Sequence, residues 1–340
     1  MKLLVTGSSG FLGRYVVAEA LRRGHQVRAL VRPVAVTVAS EQSNLEVVRA
    51  DLRDRRTLAE VVAGVDAVLH LAAVKQGDLY VQLAGTVVAT ENLLAAMSQS
   101  KVNRLVAVST IAVYDYLQIP FYGRLDESTP IEHDPERRET YTQSKLQQEK
   151  VIQRYASDNS LDLTILRPGV IYDREHCWFE KLGIRLSDRL CLRFGVISQL
   201  PLTYVENCAQ AILECTESDE AIGQVFNVID DNTPSRRAYV KQLRKRMKLR
   251  PWVVVLPGAL IWGTARFAEF VNRVVFKNEA RLPWFLSPPK LALHVRPLCY
   301  ANQKLHDLIG WRPRYHFPDT LDRGGEAELE VRPDGAVDAA

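Results

Sequence analysis

The sequence predicts an α/β fold, a doubly wound parallel sheet with helices on both faces, followed by a smaller C-terminal α/β domain. Two observations carry the first part. Short apolar runs without internal polar alternation recur from Leu3 to Leu166, and most are followed by a segment with helical apolar spacing. Strands of that kind are buried on both faces, and the helices between them provide right-handed crossovers. The third observation predicts the second domain: from Pro168 onward the rhythm breaks, because Asp173 to Leu202 mixes Trp, Cys, Arg and Gly with no clear period.

Taken in order, Leu3-Leu4-Val5 is the first strand, and Phe11 to Arg23 a helix that stops at Gly24, a left-handed cap. Val27 to Val31 and Leu45 to Val48 are strands, Leu58 to Ala63 a helix, and Val65 to Leu69 the fourth strand. A helix over Leu79 to Ser98 precedes the strand Arg104 to Val108, and another over Thr140 to Tyr155 precedes Leu161 to Leu166. Val205 to Glu214 then reads as helical and Val225 to Val228 as a strand, so the chain returns to the sheet before leaving it near Asp230. The first domain is therefore expected to be discontinuous, residues 1–170 plus about 203–230. The second takes 171–202 plus 231–322, and 323–340 is expected to be a disordered acidic tail, with five acids against one arginine from Gly324 on.

Composition excludes several classes. With 47% hydrophobic and 25% charged residues among 340, the chain is globular rather than disordered. A net charge of +4 from 44 basic and 40 acidic residues is too balanced for a nucleic-acid binder. Five cysteines without a C-x-x-C pair suit a reduced compartment, the cytoplasm, and the N-terminus leaves no room for a signal peptide. His133, His176, His294 and Cys177 stand in no ligand spacing, so no metal is assigned. The longest apolar stretch, Val253 to Trp262, is too short to span a bilayer. It follows a run from Arg236 to Arg250 with eight basic residues and no acid, the pattern of peripheral contact with an anionic membrane through 236–262. The competing reading is an exposed basic helix followed by a buried core segment. Trp178, Trp252, Trp262 and Trp284 could line a pocket, but core packing accounts for each more simply.

Chemistry enters with Thr6-Gly7-Ser8-Ser9-Gly10-Phe11-Leu12-Gly13, directly after the first strand and opening the first helix. Glycines there permit a tight turn and close approach of backbone to a pyrophosphate, while the helix N-terminus offers N–H donors. Gly7, Gly10, Phe11, Leu12 and Gly13 are thus expected to hold a dinucleotide. Where an NAD-selective site would carry an acid, the second strand ends Val31-Arg32-Pro33. A cation suits a 2′-phosphate, so NADP is favoured over NAD, the alternative being that Arg32 is a solvated loop residue. Asp51-Leu52 after the third strand would meet the adenine, or Asp51 would cap the next helix. Tyr141 and Lys145 place a phenol and an ammonium on one helical face; the ammonium, together with an oxidised nicotinamide, favours the phenolate and lowers the tyrosine pKa. Tyr300 and Lys304 repeat the spacing. Only the first pair follows a strand whose end carries hydroxyls, Ser109-Thr110.

These motifs, together with His70-Leu71-Ala72-Ala73, Ser109 to Tyr114 and Leu166-Arg167-Pro168-Gly169-Val170-Ile171-Tyr172, occur in the order of the extended short-chain dehydrogenases/reductases. The sequence resembles that NAD-dependent epimerase/dehydratase group over residues 1 to about 235. Pro201 to Asn207 and Leu308 to Pro313 look like its later landmarks. The resemblance implies a Rossmann domain with a substrate domain, Tyr141 as general acid/base, and Lys145 tuning it and holding the nicotinamide ribose. It also implies a substrate-orienting hydroxyl from Thr110, with Ser109 the near alternative, and cofactor contacts from Ala72, Ser109 and Pro168. The implied activity is hydride transfer at a secondary alcohol or ketone. A nucleotide-sugar is the leading small-molecule substrate. The alternative is a 3β-hydroxysteroid or isoprenoid-type alcohol dehydrogenase or carbonyl reductase. A non-catalytic NADP-binding sensor or scaffold is opposed by the intact Thr110, Tyr141 and Lys145, and a helix-mediated homodimer is common in such a family. Two departures stand out: Thr86 occupies the place of a frequent Asn, and Tyr114 and Tyr172 are each followed by Asp rather than Gly.

Overall fold

A computed structural model describes residues 1–33, 43–179, 182–187, 190–194, 199–246, 252–277, 279–280 and 282–323. The expected acidic tail from residue 324, and residues 247–250 of the basic run, lie outside the described residues. The chain begins with β1 (Lys2–Thr6), α1 (Phe11–Arg22), β2 (Gln26–Val31), β3 (Leu45–Arg49), α2 (Leu58–Val62) and β4 (Ala67–His70). It continues through α3 (Leu79–Leu83), a π-helical turn (Ala84–Val88), α4 (Ala89–Gln99), β5 (Arg104–Val108), the short β6 (Arg124–Leu125), α5 (Thr140–Asn159) and β7 (Asp162–Pro168). After β8 (Val170–Tyr172), β9 (Ile184–Ser187), β10 (Leu190–Phe194) and β11 (Leu202–Tyr204) come α6 (Val205–Glu217) and β12 (Val225–Val228).

Seven strands form one parallel sheet in the order β12-β7-β5-β4-β1-β2-β3. The order reverses at β1 and β4, and ligands of such sheets lie outside the strand carboxyl ends at that point. The apolar strand runs explain the layers. Leu3, Val5, Leu69 and Val106 point into a core shared with α1 and α6, whereas Leu4, Val68, Leu105 and Ile165 pack against α2, α4 and α5. The helix expected over Leu79 to Ser98 is interrupted by the π-helical turn at Thr86, the residue standing in for the frequent Asn.

The remainder is smaller pieces: α7 (Arg236–Arg246), β13 (Trp252–Leu256), α8 (Gly258–Val275), α9 (Pro288–Val295), β14 (Cys299–Tyr300) and α10 (Gln303–Ile309). β13 joins β10 and β9 in a three-stranded sheet, β11 pairs with β8, and β14 pairs with β6. The β6–β14 pair brings the stretch after β5 against the C-terminal part, where Tyr114, Tyr116, Leu125, Ile229, Ala292 and Leu298 form a separate core.

Two expectations about the basic and apolar stretch are corrected. Arg236 is only 2% exposed and donates to His294 O, so it is not part of a basic surface. The segment from Val253 is not buried core: Val254 and Val255 on β13 and Leu260 on α8 are exposed, and Trp252 just before it is 78% exposed. A strand at a sheet edge followed by a helix on the surface has one face too many to bury.

Candidate active site

The turn after β1 is built on backbone contacts that exclude side chains. Gly7 has φ +70°, and a Cβ there would lie 2.9 Å from Ala72 N; one on Gly13 would lie 2.1 Å from Gly7 O. Glycine at both places lets the first turn of α1 press on the strand end. Gly10 N donates to Gly7 O at 3.0 Å, and Ser8 Oγ donates to Leu30 O at 2.7 Å, tying the turn to β2. No acid stands in the first turn of α1, so its free N–H groups and dipole remain available to an anion. Half-buried Phe11 and Leu12 flank the turn, and Phe11 stacks on His176 with ring centroids 4.2 Å apart. His176, whose Nδ1 lies 3.0 Å from Asp173 Oδ1, was not legible as a neighbour of this motif.

At the carboxyl ends of the neighbouring β2 and β3, Val31 is in register with Arg49, and exposed Arg32 follows. Asp51 does not cap α2, whose N-cap is Thr57. Its carboxylate instead caps its own turn, accepting from Arg53 N at 2.9 Å and Arg53 Nε at 3.0 Å. The hydrogen-bonded guanidinium of Arg53, with Arg32 further off, holds the Asp51 carboxyl below the ordinary range. Leu52 O accepts from Asn92 Nδ2 at 3.0 Å, which fixes this turn to α4.

The strand ends of β5 and β7 lie on the other side of the glycine turn, beyond β4, and α5 starts near the stretch that follows β5. Thr110 Oγ1 accepts from Ala112 N at 3.2 Å, which leaves its proton free to donate. Ser109, 5% exposed, has a buried Oγ with no hydrogen-bond partner among the described residues. An orphaned buried hydroxyl at a strand carboxyl end of the same sheet as the glycine cradle is what a nicotinamide nucleotide would satisfy, so the residues fit that cofactor. Tyr141 is half-buried in the first turn of α5, and Lys145 lies buried one turn on. Lys145 Nζ donates to Val108 O at 2.8 Å and to Gln148 Oε1 at 2.7 Å. Pro168 ends β7 beside Val228, and Gly169 N donates to Thr203 Oγ1 at 3.0 Å. A Cβ on Gly169 would lie 2.2 Å from Pro201 O, so this turn is needed for packing whatever it borders.

The family model for the NAD dependent epimerase/dehydratase family matches residues 3–228, which contain every one of these elements. The chain belongs to that family. A 4-hydroxy-2-methyl-3-oxo-4-farnesyl-3,4-dihydroquinoline-1-oxide ketoreductase of Stigmatella aurantiaca is 32% identical over 333 residues, 95% of either chain. A UDP-glucose 4-epimerase of Vibrio cholerae is 26% identical, covering 95% of this chain and 92% of its own. Among solved structures, a UDP-glucuronic acid 4-epimerase from Bacillus cereus in complex with UDP-glucuronic acid and NAD superposes with a TM-score of 0.70 at 20% identity, covering 97% and 98% of the two chains. As a member of the NAD dependent epimerase/dehydratase family, the protein is an NAD(P)-dependent oxidoreductase-type enzyme.

In the cofactor-free protein, burial pushes the Tyr141 phenol up to about 12, and Lys145, turned toward Val108 and Gln148, does not oppose this. Burial in turn pushes the Lys145 ammonium down to about 7, partly offset by Glu149. Glu149 is itself committed to Arg167, with contacts of 3.0 and 2.6 Å in a buried pair, and Arg167 lies over the Tyr114 ring. The two aspartates that depart from the family pattern are turn residues. Asp115 accepts from Leu117 N at 3.0 Å, and Asp173 accepts from Glu175 N at 2.8 Å. Sequence spacing also missed a cluster of Asp115, Glu132 and His133, whose ligand-type atoms lie within 4.8 Å; Glu132 there faces Arg138 at 3.4 Å.

Proposed function

We propose that the protein is an NADPH-dependent reductase of a ketone carried on a largely apolar molecule. The observation that carries this reading is the arginine group at the ribose end of the cleft. Arg32 follows β2, Arg49 ends β3 in register with Val31, and Arg53 follows Asp51, with no acid at the end of β2. Such a group suits a 2′-phosphate, and a phosphorylated cofactor is one exchanged at each turnover rather than retained. When bound, the cofactor supplies the hydride. Tyr141 gives its phenol proton to the carbonyl oxygen, which its raised pKa suits in the reductive direction. The Thr110 hydroxyl, or Ser109 beside it, orients that oxygen, and Lys145 holds the ribose and restores the proton. The full-length relative named as a farnesyl-quinoline ketoreductase supports an apolar substrate.

The nucleotide-sugar reading is the second, favoured by the Vibrio cholerae epimerase relative. Nucleotide released on denaturing fresh protein, followed by NADPH and NADH titration, separates the two. Empty protein that prefers NADPH is expected, and Arg32→Ala weakens NADPH by about ten- to a hundredfold while NADH binding stays within about twofold. Near-stoichiometric retained NAD⁺ overturns the reductase reading in favour of the epimerase.

The membrane contact expected over 236–262 is retained as part of this proposal and relocated. On α8, Leu260, Phe267, Phe270 and Val274 recur at helical spacing on one exposed face, Phe267 being 68% exposed. Arg266 and Arg273 flank that face, and the helix's one acid, Glu269, pairs with Arg266. Exposed Arg237, Lys241 and Lys245 of α7 add further charge. An apolar band with aromatic and basic flanks suits the surface of an anionic bilayer, and no described helix is long and apolar enough to cross one. Cosedimentation with anionic vesicles that is lost in Phe267→Asp/Phe270→Asp and absent with neutral vesicles is the expected result. Concentration-dependent self-association abolished by the same changes would assign the face to a second copy instead.

A further inference from the structure

We infer that Gln148 is a positioning residue for the acid/base pair, its side-chain amide fixing the Lys145 ammonium to a buried hydrogen-bond network that converges on Thr90 and reaches β1 and β4. The inference rests on the reading of Tyr141 and Lys145 as that pair. Gln148 is 2% exposed and sits one turn after Lys145 on the inner face of α5. Its Oε1 lies 2.7 Å from Lys145 Nζ; its Nε2 lies 2.9 Å from Thr90 Oγ1 and 3.1 Å from His70 Nε2.

The direction of each bond follows from counting protons. Thr90 Oγ1 has one hydrogen and lies 2.5 Å from Thr86 O, which can only accept. That hydrogen is therefore spent, and the two nitrogens that approach Thr90 Oγ1 at 2.9 Å, His70 Nε2 and Gln148 Nε2, must both donate to it. Burial holds His70 down to about 3, so it is neutral. With the proton on Nε2, its Nδ1 accepts from Thr6 Oγ1 at 2.8 Å, and Thr6 Oγ1 in turn accepts from Ala72 N at 3.3 Å. The Gln148–His70 contact is then two donors side by side. With the tautomer so fixed, Gln148 faces Thr90 and His70 with its NH₂, and its carbonyl is turned to the ammonium. Buried groups connected in this way have one arrangement rather than several.

The consequence for Lys145 is specific. Two of its three N–H donors are fixed by Val108 O and Gln148 Oε1, which leaves one for the cleft. The charged and titratable groups facing it are few. Glu149 on the same helix is held by Arg167, Lys75 on the loop after β4 adds a second cation, His70 is neutral, and Tyr141 lies one turn back. The Gln148 carbonyl is thus the one side-chain acceptor the described residues give to this ammonium. Thr90 comes from α4, where the chain leaves the π-helical turn, so that turn serves the glutamine through Thr86 O.

The test uses the cofactor-free full chain labelled with ¹⁵N-lysine, the Nζ signal of Lys145 being assigned by its loss in Lys145→Met. Gln148→Met, similar in size but without the acceptor, is expected to lower the Lys145 titration midpoint by about one pH unit, and Gln148→Glu to raise it by a similar amount. Thr90→Val keeps the Lys145–Gln148 contact but removes its anchor, and a smaller downward shift is expected. NADPH affinity, read by fluorescence, weakens severalfold in Gln148→Met and recovers in part in Gln148→Glu. A midpoint unmoved in both Gln148 variants overturns the positioning role, as does a loss of stability in Gln148→Met with the midpoint and NADPH affinity unchanged. Turnover that survives in Lys145→Met would instead overturn the acid/base reading, a result the Gln148 titrations cannot produce.

Discussion

Tyr141/Lys145 and Tyr300/Lys304 share one spacing and meet opposite fates. The first pair sits at the start of α5, a 20-residue helix packed on one face of the sheet, and its lysine is buried against Val108 O and Gln148. The second is split: Tyr300 closes the two-residue strand β14, and α10 begins only at Gln303, so the two side chains never share a helical face. Lys304 Nζ donates to Val225 O at 3.0 Å and lies 5.3 Å from the centre of the Phe226 ring, bracing α10 on β12. Four-residue spacing makes a reactive pair only where one continuous helix carries both groups to a strand end that leaves polar atoms unsatisfied, as Ser109 Oγ is.

The sharpest way to break this contrast is Tyr141→Phe. Losing a general acid is expected to cost about 10²–10⁴ in turnover with NADPH binding retained, measured by cofactor oxidation and by titration. Equal activity in Tyr141→Phe and wild type would erase the distinction between the two pairs. Next in size is Glu149→Gln. Glu149 stands at i+4 from Lys145, where a helical ion pair can form, yet the structure gives it to Arg167. Stripping a buried, ring-stacked guanidinium of its carboxylate is expected to cost about 3–5 kcal/mol of stability, visible as a lowered denaturant midpoint. A loss of activity without that destabilisation would mean Glu149 serves Lys145 after all.

What the sequence made legible follows from period and order. Doubly apolar strands, the glycine turn and the Tyr141/Lys145 helix are local patterns, and the structure has the seven-stranded sheet they call for. Three things were not legible because they depend on which neighbour arrives first. Asp115 and Asp173 look like altered pocket residues but cap turns. The Tyr141 pKa is set by burial rather than by the lysine one turn away, since Val108 O and Gln148 claim that lysine. The apolar run from Val253 looks like core, yet on α8 only Ile261, Ala265 and Asn272 are buried. Gln148 carries no local signal at all, because its role exists only once Thr90 and His70 are brought from α4 and β4.

A third contrast is electrostatic. The folded Lys145 has its pKa depressed to about 7, so between that pH and the ordinary lysine value the unfolded chain holds a proton that the folded one has lost. Stability of the cofactor-free protein therefore gains from this group as pH rises through that window, and the gain is absent below about 7. Lys145→Met is expected to flatten that part of the stability profile, measured by denaturant midpoints from neutral to alkaline pH.

The smallest effects belong to the second pair. Tyr300→Phe should leave turnover within about twofold and cost about 1 kcal/mol of stability, the worth of one hydrogen-bonding group. Lys304→Met removes a donor to Val225 O but keeps the apolar stem over Phe226, so its cost should be of the same order, again with turnover unchanged. Thermal midpoints and cofactor oxidation measured side by side test both. A turnover loss in either variant that exceeded its loss of folded protein would mean the C-terminal copy reaches the cleft, and the rule drawn from the two pairs would fail.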